Sequence, residues 1–147
     1  MKTAGTSNGL RTVSWVLQAG LAVAFIVMGA MPKFTGDPMS VAIFETLGFP
    51  PGRFLVGTLE ALAAVLLVAP KMHALGGALA GGLMLGAVGS HLGPLGVQTE
   101  LTVGGETSTH PELFVMALAL GAVSAAVVVL RRDELPLVGA SPEPVQA

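Results

Sequence analysis

The sequence predicts an all-α membrane protein: a four-helix transmembrane bundle with a short amphipathic helix in the first outer loop. Three observations carry this. Of the 147 residues, 52% are apolar and only 11% are charged, with mean hydropathy +0.77. A soluble domain carries about 25% charged residues, so water is a poor solvent for this surface. Four apolar runs are separated by more polar stretches. One of them holds a single carboxylate, Glu60, and the next is studded with glycine.

The elements follow in order. Residues 1–12 are polar and are expected to form a loose tail. Val13 to Met31 carries no charge for 19 residues, and at about 1.5 Å per residue this is close to the ~30 Å hydrocarbon core. The run is too long for a signal peptide, and no small-residue cleavage site follows it. In the first loop Asp37 suits an N-cap, Pro38 the first helical position and Gly48 a helix end. Met39, Ala42, Ile43 and Leu47 recur near helical spacing. The second span, 54–69, is short. The third, 72–92, is dense in glycine, which lets helix backbones approach closely in lipid. Gly77 and Gly81, and Gly82 and Gly86, are spaced for such contacts. The second loop, around LGVQTELTVGGET, is read as a small hairpin. The fourth span is 113–130, and residues 133–147 are expected to be disordered. The membrane domain is thus 13–132.

Five of the seven basic residues (Lys2, Arg11, Lys71, Arg131 and Arg132) fall on one side of this topology. The positive-inside rule then places both termini in the cytoplasm. With a net charge of −2 and no cysteine, nucleic acid is not expected as a partner, and thiol chemistry or Cys-based metal binding by the chain itself is excluded. The three histidines lack metal-site spacing, and no metal is expected.

An ionisable residue inside an apolar span is by default a functional-site hypothesis. Gly57 and Ala64 share the face of Glu60, so that face should turn inward. Counting from the Pro70 turn puts Gly81 and Gly82 at the level of Glu60, leaving either a tight contact or a small polar cavity. Lys33 has a stem long enough to reach inward. His91 lies higher, making a direct bond to Glu60 doubtful, and Gln18 lies too low. Candidate catalytic residues are therefore Glu60, His91 and Lys33. Candidate cofactor-binding residues are Glu60, Gly57, Gly81 and Gly82. The competing reading makes Glu60 structural, a hydrogen-bonded link between helices.

Several segments together resemble the DoxX-like family of small four-helix membrane proteins. They are Gly29-Ala30-Met31-Pro32-Lys33-Phe34, Leu47-Gly48-Phe49-Pro50, Gly57-Thr58-Leu59-Glu60 and Leu83-Met84-Leu85-Gly86-Ala87 leading to His91. The resemblance covers about residues 13–132. It implies a bacterial inner-membrane protein, at most an oxidoreductase subunit, whose polar signature positions match Lys33, Glu60 and His91. Some members of that family are subunits of a thiosulfate:quinone oxidoreductase, which makes a quinone the cofactor to look for, although the sequence itself names none. Without cysteine, a separate catalytic subunit would supply any thiol chemistry. The expected partners are the lipid bilayer and either such a subunit or a second copy of the chain. The alternatives are a non-catalytic interaction or assembly protein and, less favoured, a small transporter.

Overall fold

Where no water is at hand, each backbone N–H and C=O must be satisfied within its own segment, and the apolar runs of this chain accordingly form helices. The structure is a computed structural model and describes residues 4–135. It is mostly helical. Helix α1 (Ala4–Ala24) passes through a π-helical turn (Phe25–Ala30) into α2 (Met31–Thr35). There follow α3 (Pro38–Thr46), α4 (Gly52–Val68), α5 (His73–Leu92), strands β1 (Glu100–Val103) and β2 (Glu106–Thr109), and α6 (Pro111–Leu130).

Three helices are long and apolar enough to cross a membrane: Asn8–Thr35, His73–Leu92 and Pro111–Leu130. Helix α4 is shorter, at 17 residues, and rises about 25 Å. The surface is that of a membrane protein. Val16, Val23, Leu85, Val115 and Val129 are all more than 60% exposed, whereas Ser14, Gln18, Glu60, His73, His91 and Ser124 are buried. Large apolar side chains thus cover the outside, while polar groups are drawn in beside an apolar core.

The first helix departs from the expected bounds. It begins at Ala4, within the segment expected to be a tail, and runs past Met31 to Thr35. Charge marks where a run leaves the apolar layer, not where the helix stops, and the Lys33 ammonium is paired inside the protein. The π-helical turn has a local cause in Pro32. Proline has no N–H to donate, and its ring crowds the carbonyl four residues back, here Met28. A widened turn accommodates both.

The expected loop helix is present as α3. Ser40 N–H donates to the Asp37 carboxylate at 3.1 Å, Pro38 stands at the first turn, and Gly48 adopts φ 71° beyond the last. The hairpin is present as well. Glu100 pairs with Thr109 and Val103 with Glu106, around Gly104-Gly105 at φ 62° and 88°, the left-handed pair that a tight hairpin turn needs. Of the expected C-terminal tail, Arg132–Glu134 form a 3₁₀ turn. Residues 136–147 lie outside the described residues.

Helix α5 packs between α4 and α6, and the first helix packs against α4 and α6. The core between them holds Leu21, Phe25, Ala63, Ala64, Leu67, Ala80, Met84 and Val127. The closest backbone approach is at Gly76, where an added Cβ would stand 2.5 Å from Leu67 N. At Gly77 it would meet Val127 and Val128 at 3.1 Å. The expected contacts at Gly81, Gly82 and Gly86 are different in kind. Gly81 faces Ser124 at 3.7 Å, and nothing lies within 4 Å of a Cβ at Gly82 or Gly86. Spacing of four marks a shared helix face. It does not say where along that face the helices converge.

Candidate membrane-embedded ligand site

The helices splay beyond that convergence and leave a cavity of about 760 Å³. Its walls come from the π-helical turn and from α2, α3, α4, α5 and α6. Most of the lining is apolar: Phe25, Met28, Ile43, Leu83, Met116 and Leu120 are representative. Lys33, Asp37, Ser40, Glu60, Ser90 and His91 supply the polar groups. Gly82 and Gly86 form part of the wall, and their missing side chains account for some of the space.

Glu60 faces the first helix. Lys33 Nζ donates to Glu60 Oε1 at 3.0 Å and to the Gly29 carbonyl at 3.1 Å, and stands 2.9 Å from Oε2. Oε2 is sealed in and makes only the ionic contact, off the hydrogen-bond axis. The Lys33 side chain is 15% exposed and that of Glu60 6%, so the pair is largely out of solvent. Gly29 makes the arrangement possible, because a Cβ there would stand 2.9 Å from the Glu60 carboxyl carbon. Gly29→Ala is therefore expected to push the carboxylate off Lys33 and to cost about 1–3 kcal/mol, the usual range for overpacking. Thermal unfolding in detergent measures it, and an unchanged midpoint would show that the carboxylate has room to move.

His91 is buried at another part of the wall. Its Nδ1 is 2.8 Å from Thr99 Oγ1, and its ring stands edge-on to Phe114 with centroids 5.8 Å apart. The Gly76–Leu67 contact fixes the register of α4 against α5 and sets Glu60 near the level of Leu83. His91 lies eight residues beyond Leu83, about 12 Å along the axis. Lys33, Glu60 and His91 thus border one cavity, but His91 bonds the second loop and not Glu60.

Two of the expected residues fall elsewhere. A Cβ on Gly57 would meet Lys33 Cβ at 3.2 Å and Phe34 at 3.1 Å, so this glycine seats α2 on α4 and does not line the cavity. Gly81 faces α6. The face argument predicted an inward turn at Gly57 without saying which helix would fill it. Gln18 is remote from Glu60, as expected; its Nε2 donates to Ser14 Oγ at 2.6 Å.

Sequence reasoning missed Ser40 and Thr99. Ser40 is buried on the inner face of α3 with an unpartnered hydroxyl. A polar residue on that face was a usable signal. Thr99 sits in an irregular loop, where no periodicity marks an inward residue. A second polar cluster was also missed, at the opposite end. There Arg131 Nε donates to Ser14 Oγ at 2.8 Å, and Glu134 accepts from Ala74 N–H at 3.3 Å and lies 2.9 Å from His73 Nδ1. It ties the C-terminal end of α6 to the start of α5.

Among the described residues no three His, Asp or Glu converge on a metal-sized site. Chemically, the cavity offers an apolar chamber with a compensated ion pair on one wall and an imidazole on another. That suits an uncharged amphipathic molecule. Comparison with protein-family models, with curated proteins and with solved structures finds no significant match to this chain.

Proposed function

We propose that the protein is a quinone-facing accessory subunit of a membrane oxidoreductase system, of the DoxX-like type. In this reading α4 is a short fourth span completing a four-helix transmembrane bundle. The bundle sits in a bacterial inner membrane with both termini in the cytoplasm, where the basic residues concentrate. The observation that carries the reading is the cavity. At about 760 Å³ it lies within the 300–1,000 Å³ typical of small-molecule sites. Its largely apolar wall fits a substituted ring with part of an isoprenoid tail. The Ser40 hydroxyl and the His91 ring supply polar contacts for ring oxygens. A bound quinone would supply the two-electron chemistry. The chain's own residues would bind and orient the ring. Electrons would pass to or from a partner subunit, since this chain has no cysteine with which to carry thiol chemistry of its own.

The test is purification in mild detergent followed by mass spectrometry of bound lipids, quinones and proteins. A stoichiometric quinone is expected, lost in Gly86→Leu, whose new side chain enters the cavity, and reduced in Glu60→Gln. A Gly86→Leu protein that keeps its quinone would place the ligand elsewhere. A co-purifying protein with no small molecule would instead favour the non-catalytic assembly role.

A further inference from the structure

The hydrogen-bonding polarity of His91 is set by its neighbours. The Thr99 hydroxyl donates to the Gly96 carbonyl at 2.8 Å. With its hydrogen directed there, it accepts from His91 Nδ1, 2.8 Å away. The same nitrogen faces the Gly96 carbonyl at 3.3 Å. A nitrogen facing a carbonyl and a hydroxyl that has already given its hydrogen must carry one itself. Nε2 of the neutral ring is then an acceptor.

Nε2 has no hydrogen-bond partner among the described residues. It is also not closed off, unlike Nε2 of the buried His73. The His91 ring is buried and lines the cavity, and with Nδ1 engaged by the second loop, Nε2 is the ring nitrogen left to a ligand there. The edge contact with Phe114 and the bond to Thr99 hold the ring against turning over.

We infer that the site selects the hydroxyl form of its ligand, a hydroquinone over the corresponding dione. A ring hydroxyl donates to His91 Nε2, and Thr99 is the residue that positions this acceptor. The inference rests on the quinone reading above. A dione presents only lone pairs, and against Nε2 it would leave two buried acceptors with no hydrogen between them, which is costly. A hydroxyl supplies that hydrogen. The other polar groups do not reverse the preference: Lys33 directs hydrogens to Glu60 and to Gly29, and the unpartnered Ser40 hydroxyl, able to donate or to accept, serves both forms alike.

The experiment uses the full chain in lipid nanodiscs under anaerobic conditions, with ligand-free protein and empty nanodiscs as reference. Three ligands are compared by equilibrium binding: a decyl-substituted benzoquinone, its hydroquinone, and the dimethyl ether of that hydroquinone. The hydroquinone is expected to bind about tenfold tighter than either other form, the effect of one buried hydrogen bond made or unmade. For a two-electron couple, tenfold corresponds to a potential about 30 mV more positive in the site. His91→Phe should bring the hydroquinone down to the affinity of the ether measured on the same variant. Thr99→Val should erode the preference and Thr99→Ser retain it. The ¹⁵N spectrum of the His91 imidazole should show mixed tautomers in the valine variant only. If the three ligands bind equally, or the dione binds tightest, hydroxyl selection is wrong and the quinone reading stands. If none binds, the quinone reading falls and takes this inference with it. The ligand series on the unaltered chain decides the matter even where a variant does not fold.

Discussion

Lys33→Met is expected to destabilise the protein by about 3 kcal/mol, the low end of the range for breaking a buried pair. The reason is the charge left behind. Glu60 is 5% exposed, and Lys33 is its only ionic partner among the described residues. Removing the ammonium strands a carboxylate among apolar walls, and protonation of Glu60 offsets only part of the loss. The double variant Lys33→Met, Glu60→Leu should recover most of the stability, because well-packed apolar residues often replace a buried pair at little net cost. Thermal or denaturant unfolding in a fixed detergent, run as a double-mutant cycle, measures this. A single Lys33→Met within about 0.5 kcal/mol of the parent would show that the pair contributes little. The double variant also separates the two roles of Glu60. If it folds well and binds no ligand, the pair serves the site. If it folds well and binds normally, the pair is a structural link.

The second large effect is expected at Gly76. In Gly76→Ala the new methyl would stand 2.5 Å from Leu67 N and 2.8 Å from Leu66 C, both of them backbone atoms that cannot rotate aside. Helices α4 and α5 must separate there, losing the contacts of Leu67 and Ala80 with the core. The cost is expected at or above the top of the overpacking range, about 3 kcal/mol. Gly82→Ala, at a position where a Cβ meets nothing within 4 Å, should change stability by less than about 0.5 kcal/mol. The contrast is the informative measurement. Equal effects at the two positions would mean that the helices do not converge at Gly76.

Both predictions depend on where helices meet, and this marks how far the sequence reaches. The α3 helix and its caps were legible because Asp37, Pro38 and Gly48 act through local backbone geometry. The hairpin was legible for the same reason at Gly104-Gly105. The apolar runs were legible because an apolar environment leaves a backbone little choice but to close its own hydrogen bonds. Glu60, Lys33 and His91 stood out because polar groups in such runs need a reason to be there.

The sequence by itself determined where the main helical segments lie, though not the ends of the first, which of them suit an apolar surrounding, and which few polar residues are worth following. Only the tertiary structure decided what those residues touch. Glu60 turns to Lys33 and Gly29 on the first helix, and Gly57 seats a helix without lining the cavity. His91 bonds Thr99 in a loop, and Gly76, without the expected spacing partner, carries the tightest contact with another helix's backbone. The physical reason is the range of the forces. Caps, turns and helical hydrogen bonds act over four or five residues and are written locally. The azimuth and crossing of two helices come from all the side chains that meet between them at once. In this chain those meetings set the depth at which the cavity opens.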